Sequence, residues 1–448
     1  MAAKRRSILG RLSWGVLDQG VSSLQNFVLG IFVARSLGLV ALGALGLAFV
    51  AYAVVLSGHR GLSTDPLAVR FSGDRNQRWQ RGASAATGTA LVLGSIAGVV
   101  CAAIGVVSWS LLDHPEVGAA MVALGVTLPG LTLQDSWRYA FFSSGQGAKA
   151  FTNDVVWSAL MVAALVALQV LDVAGVGWCL LAFGGTAYLA ALLGAVQAGF
   201  APDPRRVRSW LSHQGDLGGR FLLENIALGV GGQVRPAVVA AADSVRAAGG
   251  VRGAEMLMGP VATMLMGVAQ VAVPETVRGL ARGRAPFRRL CVLVSLTLAG
   301  AAGAWAVVVL VVFPLGVGRF LLGDAWDEAH ALFPAVALSA AAGCLPVGPS
   351  AGLRALERAD RTLRCQVVST ALFVALAVAG AGFAGAAGAV WGTATASLLA
   401  AGFWWAAFLK AEAHHFAAGL DVQSFPASAG ELVAAAPVDG VVAGRQHG

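Results

Sequence analysis

Apolar residues recur along this chain in windows of about 20, the length a helix needs to cross a hydrocarbon core, with short polar stretches between them. The windows predict helices at roughly 12 to 34, 39 to 66, 83 to 108, 119 to 143, 152 to 171 and 176 to 199. The stretch from Ala201 to Gly219 carries Arg205, Arg206, Arg208 and two prolines, and reads as the linker between two halves. Six further windows lie at roughly 219 to 242, 251 to 275, 288 to 313, 329 to 353, 363 to 384 and 387 to 409. The expectation is an all-α membrane protein of about twelve transmembrane helices. Residues 1–204 form an N-terminal six-helix bundle, 205–410 a C-terminal one, and 411–448 a disordered cytoplasmic tail. The first window is too long for a signal-peptide core and no small-residue cleavage pattern follows it, so it stays a helix.

Composition excludes a soluble alternative. The hydrophobic set makes up 57% of the chain and charged residues only 12%, against about 25% charged in an average soluble domain. A soluble fold would lack polar residues to cover so large a core, whereas helices in lipid stay apolar all round. The five cysteines fall inside apolar runs without metal or redox spacing and read as small core residues.

The 31 basic residues exceed the 23 acidic, a net charge of +8 that would admit nucleic acid. These charges form short clusters between apolar runs, without interleaved aromatics, so no nucleic-acid partner is expected. The clusters alternate in the manner of topology determinants. One side receives Lys4 to Arg11, Arg70 to Arg81, Lys149, the linker arginines, Arg278 to Arg289 and Arg354 to Arg364; the opposite loops carry few or none. The arginine-rich side is predicted to be cytoplasmic, which places both termini in the cytoplasm of a multi-pass inner-membrane protein. Trp109, Trp178, Trp210, Trp404 and Trp405 at helix ends are expected to form an interfacial belt.

Sliding the halves by 208 positions sets Ala34 on Ala242, Ser36 on Ser244, and Pro66 to Arg70 on Pro274 to Arg278 as P-x-x-V-R. A slide of 216 sets Arg138 on Arg354. A parallel repeat of this kind relates two six-helix bundles by a pseudo-two-fold axis along the membrane normal.

Enzymatic motifs are nearly absent. Gly348 to Gly352 matches G-x-S-x-G but sits in an apolar helical window, where small residues serve packing. Gly145 to Ala150 lacks the spacing of a phosphate-binding loop, and His414 with His415 lacks ligand spacing. No catalytic residue, metal or cofactor is assigned. The informative residues are polar ones inside membrane windows, where a mid-helix charge costs at least ~2.5 to 3.5 kcal/mol and needs a partner or a cavity. Asp18, Ser22 and Gln25 share one stripe of the first helix, with Gln19 and Asn26 beside it. Glu224, Gln233 and Arg235 give the seventh helix the same character, and Glu224 and Arg235 project to one side. Arg60 and Arg138 are further cavity candidates, with Arg138 able to pair with Asp135 at i,i+3; Arg35 and Arg252 lie near the outer surface. Arginines around a wet cavity suit an anionic phosphate group.

Leu17 to Ala48 resembles the first helix pair of polysaccharide-exporting flippases in the multidrug/oligosaccharidyl-lipid/polysaccharide (MOP) superfamily, with a polar first helix carrying S-x-x-N-F and then A-R-x-L-G. Val245 to Arg278 is similar to the matching loop and eighth helix of that family, and Gly352 to Arg364 to the loop after the tenth. The resemblance implies a central cavity lined by helices 1, 2, 7 and 8, opening alternately to each side and moving polyprenyl-diphosphate-linked glycans outward, with membrane lipid and polysaccharide-assembly proteins as further partners. A drug or cation antiporter of the same superfamily is the nearest rival, although this cavity reads as at least as arginine-rich as acidic. A membrane-embedded glycan enzyme is a weaker rival, resting on Asp324, Asp327 and Glu328 in the loop from Pro314 to Glu328.

Overall fold

A computed structural model describes the backbone of residues 2–71 and 77–417; side chains are described from Trp14 onward, apart from scattered positions lying chiefly at 215–234 and 264–278. The described chain is helical, with no strand among the described residues. The helices are α1 Ala2–His59, α2 Asp65–Arg70, α3 Gln77–Ser110, α4 Pro115–Ser143, α5 Gly147–Val170, α6 Val176–Ala198, α7 Val207–Ala242, α8 Val245–Leu257, α9 Gly259–Leu280, α10 Arg284–Val312, α11 Val317–Leu322, α12 Trp326–Cys344, α13 Val347–Ala355 and α14 Ala359–Ala417. Eight helical stretches among the described residues are long and apolar enough to cross a membrane. The chain is a multi-pass helical membrane protein. Val99, Val106, Leu192, Val196, Val307 and Val311 stand exposed on helix faces that only lipid would cover.

The two longest helices are each broken where the sequence separates windows. Gly38 takes φ +80°, a left-handed value that a side chain would resist, and divides α1 between the first two windows. Ala384 and Gly385 break α14 in the same way, and the amide of Ala386 beyond the break donates to the Asp243 carboxylate at 3.0 Å.

Several boundaries differ from the sequence reading. The expected linker is already helical from Val207, because Trp210 is buried and donates through Nε1 to the Leu62 carbonyl at 3.1 Å, anchoring that turn. The expected tail is helical as far as Ala417, and residues 418–448 lie outside the described residues. The loop from Pro314 to Glu328 contains α11 between two 3-10 turns. Trp109 and Trp178 are exposed as a membrane belt requires, but Trp210 and Trp404 are buried, the latter donating to the Ser369 hydroxyl at 3.0 Å. The five cysteines are free and buried.

The cores show how the elements are joined. Near the Gly38 break and the start of α8, one continuous apolar core takes residues from α1, α4, α5, α6, α8, α12 and α14. At the opposite end there are two separate cores. Leu67, Trp79, Trp137, Phe141 and Trp210 form one, while Leu280, Phe287, Leu353 and Phe408 form the other. The N-terminal and C-terminal elements therefore share one core at one end, while at the other their apolar cores are separate and α7 reaches across through Trp210.

The closed end depends on backbone approach. A Cβ at Gly43 would collide with the Val245 carbonyl, and one at Gly249 with the Leu39 carbonyl, so α1 and α8 cross with their main chains in contact. Around the crossing, Arg35 donates to the Phe320 carbonyl and Arg246 pairs with Glu328 at 2.5 Å.

Candidate functional site

The polar stripe of α1 faces α4 and α5. Asp18 is fully buried and accepts from Arg138 Nε, which also lies 3.6 Å from Asp154 Oδ2. Ser22 donates to Asp154 Oδ2 at 2.8 Å and Gln134 donates to Asp154 Oδ1 at 2.6 Å. Gln25 is buried and accepts from the Ser158 hydroxyl at 3.1 Å. Asn26 is half-buried. The stripe avoids lipid, but most of its hydrogen bonding is used inside the N-terminal elements.

The expected pair of Arg138 with Asp135 does not form. Asp135 instead takes a two-pronged contact from Arg60, Nε to Oδ2 at 2.9 Å and Nη2 to Oδ1 at 2.6 Å, with His59 Nε2 2.9 Å from Oδ2. The reason is local. Residues Arg60–Thr64 form a π-helical turn at the end of α1, and its first residue and the His59 before it both reach Asp135 on α4. A parallel fork to one carboxylate outcompetes a neighbour on the same helix, and Arg138 is drawn to two other acids. Arg60 also lies over the Tyr139 ring, 5.0 Å from its centroid. In formal charge these adjacent networks together set Asp18, Asp135 and Asp154 against Arg60 and Arg138, a surplus of one negative charge.

The C-terminal elements carry the opposite balance. Arg235 is buried, donating from Nη1 to Glu255 at 3.2 Å and from Nη2 to the Ser339 hydroxyl at 2.9 Å, with its guanidinium 5.4 Å from the centre of the Phe373 ring. Arg252, one turn before Glu255, shares that carboxylate at 3.9 Å and lies over Phe49 and along Gly46 of α1. Two arginines therefore have one carboxylate, and the buried Nε of each has no hydrogen-bond partner. The side chains of Glu224 and Gln233, the other α7 candidates, lie outside the described residues.

Of the sequence candidates, the structure brings Asp18, Ser22 and Arg138 into one network and Gln25 and Arg60 into adjacent ones, while Arg235 stands in a separate, basic group. The sequence reading passed over His59, Asp154 and Glu255 as site residues. Asp154 and Glu255 carried a usable signal, since each is an acid inside a predicted membrane window. His59 carried none, because a single histidine near a helix end needs no partner in lipid. Chemically, the two groups differ in the sign of their formal charge. What they offer is fixed charge of opposite sign in two parts of one apolar body.

No protein-family model and no curated protein sequence matches the chain. Solved structures do. One described as the inward-facing conformation of a multidrug resistance MATE family transporter of the MOP superfamily superposes with a TM-score of 0.69 over 90% of this chain and 96% of that one, at 16% identity. The lipid II flippase MurJ in an inward closed conformation gives 0.63 over 93% and 94%, at 10% identity. A MOP superfamily transporter from Pyrococcus furiosus, described by the reverse polarity of its binding pocket, gives 0.57 over 91% and 95%, at 15% identity. Taken with the helix order, the paired breaks at Gly38 and Gly385 and the cores joined at one end, these superpositions show that the chain has the fold of the MOP superfamily.

Proposed function

We propose that this protein is a flippase or exporter of the cytoplasmic membrane that moves lipid-linked oligosaccharide or polysaccharide precursors outward by alternating access, in cell-surface polysaccharide biosynthesis. The observation that carries the reading is the group of Arg235, Arg252 and Glu255, with one positive charge in excess and two buried donors unused. Uncompensated charge at membrane depth costs at least ~2.5 to 3.5 kcal/mol, so it calls for an anionic ligand. A diphosphate supplies one, and a polyprenyl chain attached to it can stay in lipid.

The architecture accommodates this cycle. With α1 and α14 each counted as two helices at their breaks, and α8–α9 and α12–α13 each as one, the long elements can be grouped as six up to α6 and six from α7 onward, which supports the two-bundle reading. Two such bundles would rock about the Gly43–Gly249 crossing. The arginine clusters assign the end with separate cores to the cytoplasm, where the precursor is made, and both termini with it.

A cation antiporter is the second reading, favoured by the surplus negative charge among Asp18, Asp135 and Asp154. Gene deletion separates the two. The flippase reading expects the lipid-linked intermediate to accumulate on the cytoplasmic leaflet and a surface glycan to disappear, with tolerance of cationic drugs unchanged. Drug sensitivity with an intact surface glycan would establish the antiporter.

A further inference from the structure

A cavity of about 750 Å³ opens between the start of α3 and the start of α7, at the end of the molecule where the two cores are separate. That volume is within the range of sites that enclose a small organic ligand, roughly 300–1,000 Å³. Phe71, Arg78 and Arg81 line it from the N-terminal elements, and Arg206, Trp210 and Gln214 from the other side. The arginine clusters assign this end to the cytoplasm. We propose that the cavity is a binding site for a phosphate ester whose organic part carries hydroxyl groups, separate from the Arg235 group and independent of what the protein transports.

The charge on the wall calls for an anion. Arg78 and Arg81 lie one turn apart on α3 and make no hydrogen bond or ion pair among the described residues. The guanidinium of Arg78 is held over the Phe71 ring, 5.6 Å from its centroid. Arg206 is paired with Asp203 at 2.8 Å, so two of the three wall arginines have no counter-charge. A guanidinium meets phosphate oxygens through a planar fork of donors.

Arginines at the start of a helix are ordinarily topology determinants, and taken alone these would be no more than that. Gln214 is the independent observation. It lines the cavity, is only 7% exposed, and its amide makes no hydrogen bond among the described residues, with Oε1 buried and unpartnered. A buried amide ordinarily has partners, and turning it over exchanges its donor and acceptor ends. A hydroxyl group complements either end, being donor and acceptor at once. An inorganic anion would satisfy the arginines and leave the amide empty; an apolar chain would satisfy neither. A soluble sugar phosphate and the glycerol headgroup of phosphatidylglycerol share the required chemistry. Either one would bridge α3 and α7, and the far end of α7 is tied to Ser339 through Arg235 and to the Ala386 amide through Asp243. Occupancy therefore fastens the start of that helix to the N-terminal elements.

The test is protection of a single thiol. Ser209→Cys, on the exposed wall, is introduced into the full-length protein, whose five native cysteines are buried, and its reaction with an uncharged maleimide is followed in phosphatidylcholine nanodiscs. One arm adds glucose 1-phosphate, with inorganic phosphate as its control; the other adds phosphatidylglycerol to the disc, with phosphatidic acid as its control. An ester at about ten times its dissociation constant should slow labelling roughly tenfold, while Ser212→Cys, exposed on α7 off the wall, keeps its rate. Protection by glucose 1-phosphate assigns the ligand to the cytoplasm, and protection by phosphatidylglycerol assigns it to the bilayer. Arg78→Ala combined with Arg81→Ala should abolish protection, and since both side chains are exposed and unpaired the fold is kept. Gln214→Leu should weaken protection roughly tenfold, the effect of losing one hydrogen bond, without lowering the unfolding temperature, because no protein group loses a partner. Protection by neither ester, or equal protection by the control that lacks hydroxyl groups, would overturn the inference. Protection that survives the double arginine variant would place the ligand elsewhere, and a lower unfolding temperature in Gln214→Leu would make that amide a structural group with no call for a ligand.

Discussion

Arg60 and Asp135 show how a buried charge is held in place of being offered to a ligand. The carboxylate is almost fully buried and takes both prongs of the guanidinium, while the arginine side chain is 27% exposed. Arg60→Ala leaves a buried acid with His59 still beside it, and the loss should be about 3 kcal/mol, at the low end for broken buried pairs because His59 stays and Arg60 is partly wet. Thermal unfolding in detergent should show the loss, and Arg60→Ala with Asp135→Ala together should cost much less than the two single losses added. Additive losses would mean that the pair is not coupled. The sequence made Arg60 and Arg138 visible as intramembrane charges, since hydropathy exposes any charge inside an apolar window. It did not reveal which acid each would choose. That choice depends on the π turn at Arg60–Thr64 and on the packing of α1 against α4 and α5, which bring together residues more than seventy positions apart. Asp135 lies one turn from Arg138 in sequence and is nonetheless claimed by Arg60.

At the scale of helices, the 20-residue windows were read well wherever lipid is the main neighbour, because apolarity alone sets those lengths. The reading failed where protein packs on polar helix ends. Ala201 to Gly219 looked like a linker by its arginines and prolines, yet α7 begins within it because Trp210 docks on the N-terminal elements and Arg70 donates to the His213 carbonyl at 2.7 Å. The other end of α7 carries Arg235 and Asp243 into the C-terminal elements, so one helix is fixed to both sides. The crossing of α1 and α8 was legible only as glycine content, since nothing in a lone sequence says that Gly43 meets Gly249. Gly43→Leu should disfavour the closed arrangement by about 1–3 kcal/mol, the usual cost of overpacking, which shifts its population roughly 5- to 150-fold. Spin labels at Val40 and Arg246, in a background free of native cysteines, should report a longer distance in that variant. An unchanged distance would show that the crossing does not hold the closed end.

For the whole molecule, the orientation proposed from the arginine clusters is checked simply by thiol labelling. Single cysteines at Ala285 and Glu116, both exposed, should behave oppositely toward an impermeant reagent in intact cells, with Glu116→Cys labelled and Ala285→Cys protected. The reverse pattern would turn the protein over and point the separate cores outward. The opposed charge balances of the two parts of the molecule were beyond sequence reading altogether, because net charge in a buried network is a property of who pairs with whom. They also frame the central claim, that a basic group around Arg235 serves an anionic lipid-linked headgroup. The most direct measurement reconstitutes the purified protein in liposomes carrying a labelled polyprenyl-diphosphate-linked saccharide in both leaflets and adds an external glycosidase. The account predicts that the inner-leaflet label becomes digestible, and that Arg235→Ala slows this roughly tenfold, the effect of losing one charge-assisted contact. If digestion stops at the outer-leaflet fraction, while the same liposomes drive cationic dyes against an ion gradient, the flippase account is contradicted and the antiporter stands.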